Sequence, residues 1–261
     1  QASWKDRSDI LGFYNDFTGK FKETPFLRSL YEANYRRDEI NFMVLDEMNL
    51  SRVEYYFADF LSVLEFDKSK WAIELMPIST KGKIPNKLVD GCSIFIPDNT
   101  WFIGTANKDD STYTITDKVY DRASIIDFNK RNESNTDAHN ISKINISSDK
   151  LMSLFDDAIK NMGINDDVMK KFSLVAEYML NTFDINFGNR ILNQINRFVP
   201  VYVACGGTSE SALDLIFARK ILRKLDGKFE DGVKSNLVKL EKMLDELFGV
   251  ESFSNTRDYI A

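Results

Sequence analysis

The sequence predicts a mixed α/β fold: an N-terminal α/β module followed by an all-α region. Residues 41–45 and 100–104 are largely apolar runs that each end in polar side chains, and such runs are typical of parallel strands buried on both faces. Between them, apolar residues recur at helical spacing from Val53 to Leu64, which predicts an amphipathic helix. After residue 150 the apolar spacing is helical throughout. We therefore expect a core at 1–128, a linker at 129–149 and a helical domain at 150–261.

The bulk composition excludes several classes of protein. The formal net charge is −6, so the chain has no overall basic footprint and any contact with nucleic acid must be local or made through a partner. The two cysteines, Cys92 and Cys205, match no metal-binding spacing and are too few for a disulfide framework. No apolar run approaches the roughly 18 residues of a membrane span. We expect a cytoplasmic protein without a membrane partner.

The elements of the N-terminal module follow from local signals. Residues 13–21 predict a hairpin around Gly19, and Thr24-Pro25 predicts a helix start with proline at its first position. Residues 71–77 and 92–97 predict the strands of a β-hairpin, whose tip carries Lys81, Lys83 and Lys87. A short helix at 114–122 and a third apolar strand at 124–128 complete the module.

Residues 129–149 are rich in polar side chains and contain His139, the single histidine, which we interpret as an exposed loop residue. Five helices are then predicted, at 151–162, 172–183, 189–204, 211–225 and 237–247.

The chemistry of the module is concentrated where strand 41–45 ends. Asp46 and Glu47 follow it directly, and open α/β sheets bind ligands beyond the carboxyl ends of their strands. In nucleoside-triphosphate hydrolysis, Mg²⁺ needs a carboxylate and the attacking water needs a base or an orienting group. Adjacent acids supply both functions. The alternative is a strand that simply stops at two solvated acids.

Two further residues fit the same chemistry. Asn107 follows the second strand, where its amide would hydrogen-bond the attacking water or the γ-phosphate. Arg122, at the end of the short helix, offers a guanidinium for transition-state charge, in cis or across a subunit interface. Each residue also has a structural interpretation: Asn107 as a turn residue, and Arg122 as a surface ion pair with Asp121 or Asp117.

The order of these segments resembles a known family. Residues 44–54, VLDEMNLSRVE, look like the Walker B segment of AAA+ proteins of the McrB type, the motor subunits of modification-dependent restriction systems, close to the MoxR and dynein-related branch. Residues 103–107, IGTAN, are similar to its sensor-1 strand, and residues 117–123 to its arginine-finger helix. Residues 71–97 fit the hairpin inserted before sensor 1, and residues 150–227 resemble the helical lid.

The resemblance implies a role for each site residue. Asp46 would coordinate Mg²⁺, Glu47 would activate water, Asn107 would be sensor 1 and Arg122 the finger that acts in trans. Arg190, within the FGNR segment, would be sensor 2 and contact the nucleotide. The family forms rings, commonly hexamers, and McrB-type members pair with an McrC-type nuclease, with DNA reached indirectly or through the hairpin loop.

The sequence departs from the family pattern at two points. GTP-using members carry MNTADRS after sensor 1, whereas here Ser111 stands where that arginine would be, so ATP is the expected nucleotide rather than GTP. In addition, no G-x-x-x-x-G-K-[ST] phosphate loop occurs in the 261 residues. We therefore expect an incomplete AAA+ αβα module that is inactive alone. Either it is a fragment of a longer protein, or its sheet is rearranged or completed by another chain.

Two other functions fit the same residues. One is a MoxR-like ATPase that remodels protein partners. The other is a non-catalytic assembly or interaction module that keeps the fold without the chemistry, for which the missing phosphate loop is the main argument.

Overall fold

The computed structural model describes residues 3–77, 85–128, 144–226, 232–250 and 252–260. The chain divides into two compact units, Gln1–Lys150 and Leu151–Ala261. The first unit contains both helices and strands, whereas every regular element described in the second is helical. The structure therefore confirms the prediction that the chain has a mixed α/β fold.

The N-terminal unit alternates short helices with short strands. Its elements are α1 (Arg7–Leu11), β1 (Phe13–Asn15), β2 (Lys20–Lys22), α2 (Pro25–Ala33), β3 (Asn41–Leu45), α3 (Val53–Tyr56), α4 (Ala58–Val63), β4 (Ala72–Glu74), β5 (Leu88–Val89), β6 (Ser93–Phe95), β7 (Thr100–Gly104) and α5 (Asp117–Tyr120). The predicted start of α2 is confirmed, since the Thr24 hydroxyl accepts a hydrogen bond from the backbone N–H of Leu27.

Strands β3 and β7 pair in parallel and form the sheet that organises the unit. Their register runs from Asn41 opposite Thr100 to Leu45 opposite Gly104. At the amino end, the buried Asn99 donates from Nδ2 to the carbonyl oxygens of Arg36 and Glu39, both at 2.7 Å. The in-register pairing brings the residues that follow both strands to the same edge of the sheet.

Only one face of this sheet is covered among the described residues, which corrects the expectation that β3 is buried on both faces. Met43 and Leu45 are buried, whereas Phe42 and Val44 are 55% and 57% exposed. On the same open side, Trp101 packs edge-on against Phe42 with ring centroids 5.7 Å apart. Side chains alternate across a strand, so a continuous apolar run is half exposed when one face lacks a covering layer.

The hairpin predicted at 71–97 is confirmed by the antiparallel pairing of β4 with β6. Strand β5, which lies within the predicted loop, also pairs with β6, so three strands form this sheet. Lys87 is described, and its ammonium lies 4.7 Å from the ring centroid of Tyr35. Lys81 and Lys83 lie outside the described residues.

The third strand predicted at 124–128 is wrong, because these residues form no strand. Ile126 and Phe128 are 71% and 93% exposed, and the segment that contains them pairs with no strand among the described residues. A strand needs a hydrogen-bonding neighbour as well as apolar residues. The linker predicted at 129–149 falls largely outside the described residues, and Ser148 already begins a helix.

The C-terminal unit is built from amphipathic helices around one core. Beginning with a helix that starts in the last residues of the first unit, they are α6 (Ser148–Asn161), α7 (Asp166–Phe183), α8 (Asn189–Ala204), α9 (Ser209–Ile216), α10 (Val233–Phe248) and α11 (Ser254–Ile260). Fully buried side chains such as Phe172, Met179, Ile195, Phe217 and Phe253 fill the core. No helix within the described ranges is long and apolar enough to cross a membrane.

One buried carboxylate fixes α11, a helix that the sequence pattern did not predict. Asp214 on α9 is 1% exposed. One oxygen accepts hydrogen bonds from the backbone N–H and side-chain amide of Asn255, and the other accepts the N–H of Thr256, all at 2.8 Å. Both oxygens are therefore occupied at the amino end of the helix.

Candidate functional site

The predicted acids and the segment after β7 meet at the shared carboxyl end of the two strands. Thr105 directly follows β7, and its hydroxyl donates to Asp46 Oδ1 at 2.6 Å. The same hydroxyl oxygen accepts the backbone N–H of Glu47 at 2.8 Å. The main chain adds two bonds, from Thr105 N–H to the Leu45 carbonyl and from Met48 N–H to the Thr105 carbonyl. One threonine thus joins both candidate acids to the neighbouring strand.

Glu47 has a left-handed backbone conformation, with φ 49° and ψ 48°. This region costs a non-glycine residue roughly 1–2 kcal/mol. Such conformations persist where the surroundings impose them, and they are concentrated at functional sites. Glu47 is exposed, so the strained turn presents a carboxylate to solvent rather than burying one.

Asn49 ties the turn after β3 to the loop after β7. It is 4% exposed, and its Nδ2 donates to the carbonyl oxygens of Asn107 at 2.8 Å and of Tyr113 at 3.2 Å. The backbone carbonyl of Asn49 accepts the N–H of Tyr113 at 2.8 Å. Both ends of the loop 107–113 are therefore attached to a residue two positions beyond Glu47.

The turn is also supported from within the core. The buried hydroxyl of Tyr56 donates to the carbonyl oxygen of Met48 at 2.9 Å, and burial, with a smaller contribution from Glu54, raises the pKa of Tyr56 to about 12. The phenol therefore remains a donor across the physiological range. On the other side, the Met48 sulfur lies 2.1 Å from where a side chain on Gly104 would begin, so a larger residue at position 104 would force the Met48 side chain to move.

Arg52 lies beside the loop that follows β7. Its guanidinium carbon is 5.7 Å from the ring centroid of Tyr55 and 5.4 Å from that of Tyr113, within the range of cation–π attraction. These contacts give the loop a second attachment to the segment after Glu47, on the solvent side.

Asn107 lies in the cluster, since its backbone carbonyl accepts hydrogen bonds from Asn49 and, at 2.9 Å, from the Thr112 hydroxyl. Its side chain is exposed. These two hydrogen bonds hold the backbone of Asn107 in place, and neither involves its side-chain amide. The next turn is ordered by Asp109, which accepts the hydroxyl and N–H of Ser111; these bonds lower the pKa of Asp109.

Arg122 makes its described contacts away from the strand ends. Its Nε lies 2.6 Å from Glu65 Oε1, and its Nη1 donates to the Lys118 carbonyl at 2.6 Å. The ion pair expected from the sequence as the structural alternative therefore exists, but its partner is Glu65 rather than Asp117 or Asp121. Arg190 lies in the first turn of α8, in the C-terminal unit, and is exposed.

The acid pair suits a cation that keeps most of its water. Within the described residues no group of three or more His, Cys, Asp or Glu is arranged to enclose a metal ion. Mg²⁺ commonly binds one or two carboxylates and completes its octahedron with water and phosphate oxygens. Asp46 is exposed and engages Thr105 through Oδ1, so its second oxygen fits that mode.

The one cavity described has no part in this cluster. It measures about 180 Å³ and lies near α1, α4 and β4, lined by Arg7, Asp59 and Glu74 among others. Arg7 is already engaged there, with its Nε 3.1 Å from Asp59 Oδ2 and a hydrogen bond to the Glu74 carbonyl. The charged side chains that line the cavity are thus paired with each other, whereas the strand-end cluster is an open surface.

Thr105 and Asn49 are the cluster residues that sequence reasoning missed as site residues. Neither carries a charge that marks it as a metal ligand or base, and each acts through contacts with a segment 58 or 59 positions away. The available signal was the alignment of the two strand ends, which puts the residue after Gly104 opposite the residue after Leu45.

Comparison with known proteins gives one match. Residues 139–261 match a protein family described as a domain of unknown function, DUF8727. The matched residues include all of the C-terminal unit and none of the strand-end cluster. No curated protein matches the chain, and no solved structure matches it.

Proposed function

We propose that the chain is a nucleoside-triphosphatase module of the AAA+ class, most similar to McrB-type motors, with ATP preferred to GTP. The observation that carries the proposal is the in-register parallel pairing of β3 with β7. It brings Asp46, Glu47 and the segment leading to Asn107 to one sheet edge, where α/β proteins bind phosphorylated ligands. The strained backbone of Glu47 supports a functional rather than a structural turn.

Each residue has a role that its surroundings suit. Asp46, oriented by Thr105, holds Mg²⁺, which when bound neutralises charge on the nucleotide phosphates. Glu47 accepts a proton from the attacking water, or orients that water, with its exposed carboxylate. The Asn107 amide, whose backbone is anchored by Asn49, hydrogen-bonds the same water or the γ-phosphate. By its resemblance to the family's sensor 2, Arg190 is proposed to contact the nucleotide.

Phosphate binding requires a component that these 261 residues do not supply as a recognisable motif. Nucleotide hydrolysis of this kind uses backbone N–H groups and a lysine to hold the β- and γ-phosphates. We therefore propose that the chain by itself is inactive or nearly so.

The proposed partners follow from the family resemblance. They are further copies of the same chain in a ring of about six, an McrC-like nuclease subunit, and DNA reached through that complex or through the hairpin that carries Lys87. In such a ring Arg122 would stabilise transition-state charge in a neighbouring site. It would have to exchange Glu65 for a phosphate, which breaks an ion pair whose side chains are 25% and 31% exposed.

Glu47→Gln tests the proposal most simply. ATP and GTP hydrolysis and nucleotide binding are measured with the natural gene product, unsubstituted and with Glu47→Gln. We expect ATP to be the better substrate, and we expect the variant to bind nucleotide normally while its turnover falls by at least about a hundredfold. If hydrolysis persists in the variant, the role of Glu47 is wrong; if the unsubstituted protein hydrolyses neither nucleotide, the proposed activity is wrong.

One observation favours the non-catalytic assembly module. Arg122 is satisfied within its own unit by Glu65 and the Lys118 carbonyl, as expected for a residue that only stabilises the fold. Arg122→Ala, made in the natural gene product, distinguishes the two functions. Loss of turnover without loss of thermal stability supports the motor. Loss of thermal stability in a protein that hydrolyses neither nucleotide, with or without the substitution, supports the assembly module.

A further inference from the structure

We infer that Thr105 is the positioning residue of the acid turn: its hydroxyl holds the carboxylate of Asp46 and the backbone of Glu47 in one arrangement. The inference concerns the geometry of the two acids and rests on the proposed function only for what those acids then do. Thr105 touches neither nucleotide nor metal in this account, and it acts through its two neighbours.

A single hydroxyl makes both contacts because it can donate and accept at once. Its proton is directed to Asp46 Oδ1 at 2.6 Å, and its lone pair receives the Glu47 N–H at 2.8 Å. The first contact selects one orientation of the Asp46 carboxylate and leaves Oδ2 for another ligand. The second contact stabilises a backbone conformation that glutamate rarely adopts.

The main-chain bonds of the same residue provide an internal reference. The N–H of Met48 donates to the Thr105 carbonyl at 2.8 Å, and this bond does not depend on the Thr105 side chain. A change in the hydroxyl therefore affects the amide of Glu47 and spares the amide of the next residue. A general loosening of the strand ends would affect both.

Two substitutions of Thr105 separate the effect of its hydroxyl from that of the rest of its side chain. Thr105→Val keeps the shape and the β-branch while removing the hydroxyl, and Thr105→Ser keeps the hydroxyl while removing the methyl group. Because Thr105 is exposed and follows the strand, valine there buries no unpaired polar group. Thr18→Val, in the exposed loop between β1 and β2, is the matched threonine control.

Hydrogen exchange resolved to single amides gives the first readout. We expect Thr105→Val to speed exchange at Glu47 by up to about tenfold, the factor that one net hydrogen bond supplies, with Met48 unchanged. Thr105→Ser and Thr18→Val should leave both amides as they are. Equal exchange at Glu47 in Thr105→Val and in the unsubstituted protein would overturn the inference, and so would equal acceleration of both amides.

The Mg²⁺ dependence of ATP hydrolysis by the natural gene product gives the second readout. We expect Thr105→Val to raise the Mg²⁺ concentration for half-maximal turnover several-fold, and Thr105→Ser to restore it. An active Thr105→Val protein with unchanged Mg²⁺ dependence contradicts the inference. If the unsubstituted protein hydrolyses nothing, the proposed function fails, while the exchange at Glu47 still decides whether Thr105 holds the turn.

Discussion

Two carboxylates, one in each unit of the chain, show how differently the same group is used. Asp214 in the helical unit is buried, and donors from Asn255 and Thr256 occupy both of its oxygens. Asp46 at the end of β3 is exposed and is held through Oδ1 by Thr105. A buried carboxylate with donors on both oxygens stabilises a fold, whereas one oriented through a single oxygen remains available to a ligand.

The backbones of the two units differ in the same way. The helical unit has a left-handed residue at Asp184, where it ends α7 and its N–H bonds to the carbonyl of Leu180. Left-handed residues are ordinary at helix ends. Glu47 adopts the same conformation between a strand and a 3₁₀ turn, where no helix end explains it. At Glu47 the conformation is instead held by the Thr105 hydroxyl, which accepts the Glu47 backbone N–H at 2.8 Å.

The largest expected effect is on the rate of ATP hydrolysis, which should depend on Asp46 and not on the fold-stabilising role seen at Asp214. Asp46→Asn should lower the rate of ATP hydrolysis by at least about a hundredfold, since a neutral amide is a poor Mg²⁺ ligand, while thermal stability stays nearly unchanged. The rate is measured at saturating nucleotide in the natural gene product. Asp157→Asn, on the exposed side of α6, is the control and should match the unsubstituted protein. Comparable rates in both variants would remove Asp46 from the site.

The converse experiment concerns stability. Asp214→Ala should lower the free energy of unfolding of the helical unit by about 3 kcal/mol. The substitution removes charge-assisted hydrogen bonds and leaves the N–H groups of Asn255 and Thr256 without their acceptor. Urea unfolding followed by circular dichroism measures the change, with Asp157→Ala as the exposed control. A loss below about 1 kcal/mol would mean that water replaces the carboxylate at the start of α11.

A matched glycine pair then compares the two left-handed residues. Asp184→Gly and Glu47→Gly should each leave the free energy of unfolding unchanged or raise it by up to about 1 kcal/mol, because glycine adopts this conformation without strain. Only Glu47→Gly should abolish turnover. Thermal denaturation and hydrolysis are measured on both variants. Clear destabilisation by Glu47→Gly would show that the glutamate side chain supports the fold, which contradicts a catalytic role.

The smallest expected effect lies in the loop after β7. Ser111→Ala removes the hydroxyl that lowers the pKa of Asp109 and keeps the backbone donor, so that pKa should rise but stay below its ordinary value. Because the folded-state pKa is the lower one, this contact stabilises the protein above the unfolded-state pKa and is lost as the pH falls through the folded-state pKa. Carboxyl NMR titration measures the shift. An unchanged pKa would mean that the hydroxyl contact is not maintained in solution.

The sequence predicted the elements whose signals are local. The helix start at Thr24, the hairpin at 71–97 and helix α8 at Asn189–Ala204 each depend on capping residues or apolar spacing within the segment. The strands β3 and β7 were also predicted from their apolar runs. Locally determined features need no knowledge of what packs against them.

The errors concern features that depend on neighbours in space. Phe42 and Val44 have the residue types of a buried face, but the sheet has no covering layer on that side among the described residues. The run at 124–128 has strand composition without a partner strand. In the same way, the two acids were found by type, whereas Thr105 and Asn49 were missed because their roles exist only once two distant strand ends are aligned.

The most direct test of the strand-end site is to locate a bound cation. Mn²⁺ with a non-hydrolysable ATP analogue is added to the natural gene product, and paramagnetic broadening of backbone amide signals is followed by NMR. We expect the strongest broadening at Asp46 and Glu47, weaker broadening at Asn107, and recovery of all three signals in Asp46→Asn. Broadening elsewhere with these signals intact would contradict a nucleotide site at the ends of β3 and β7.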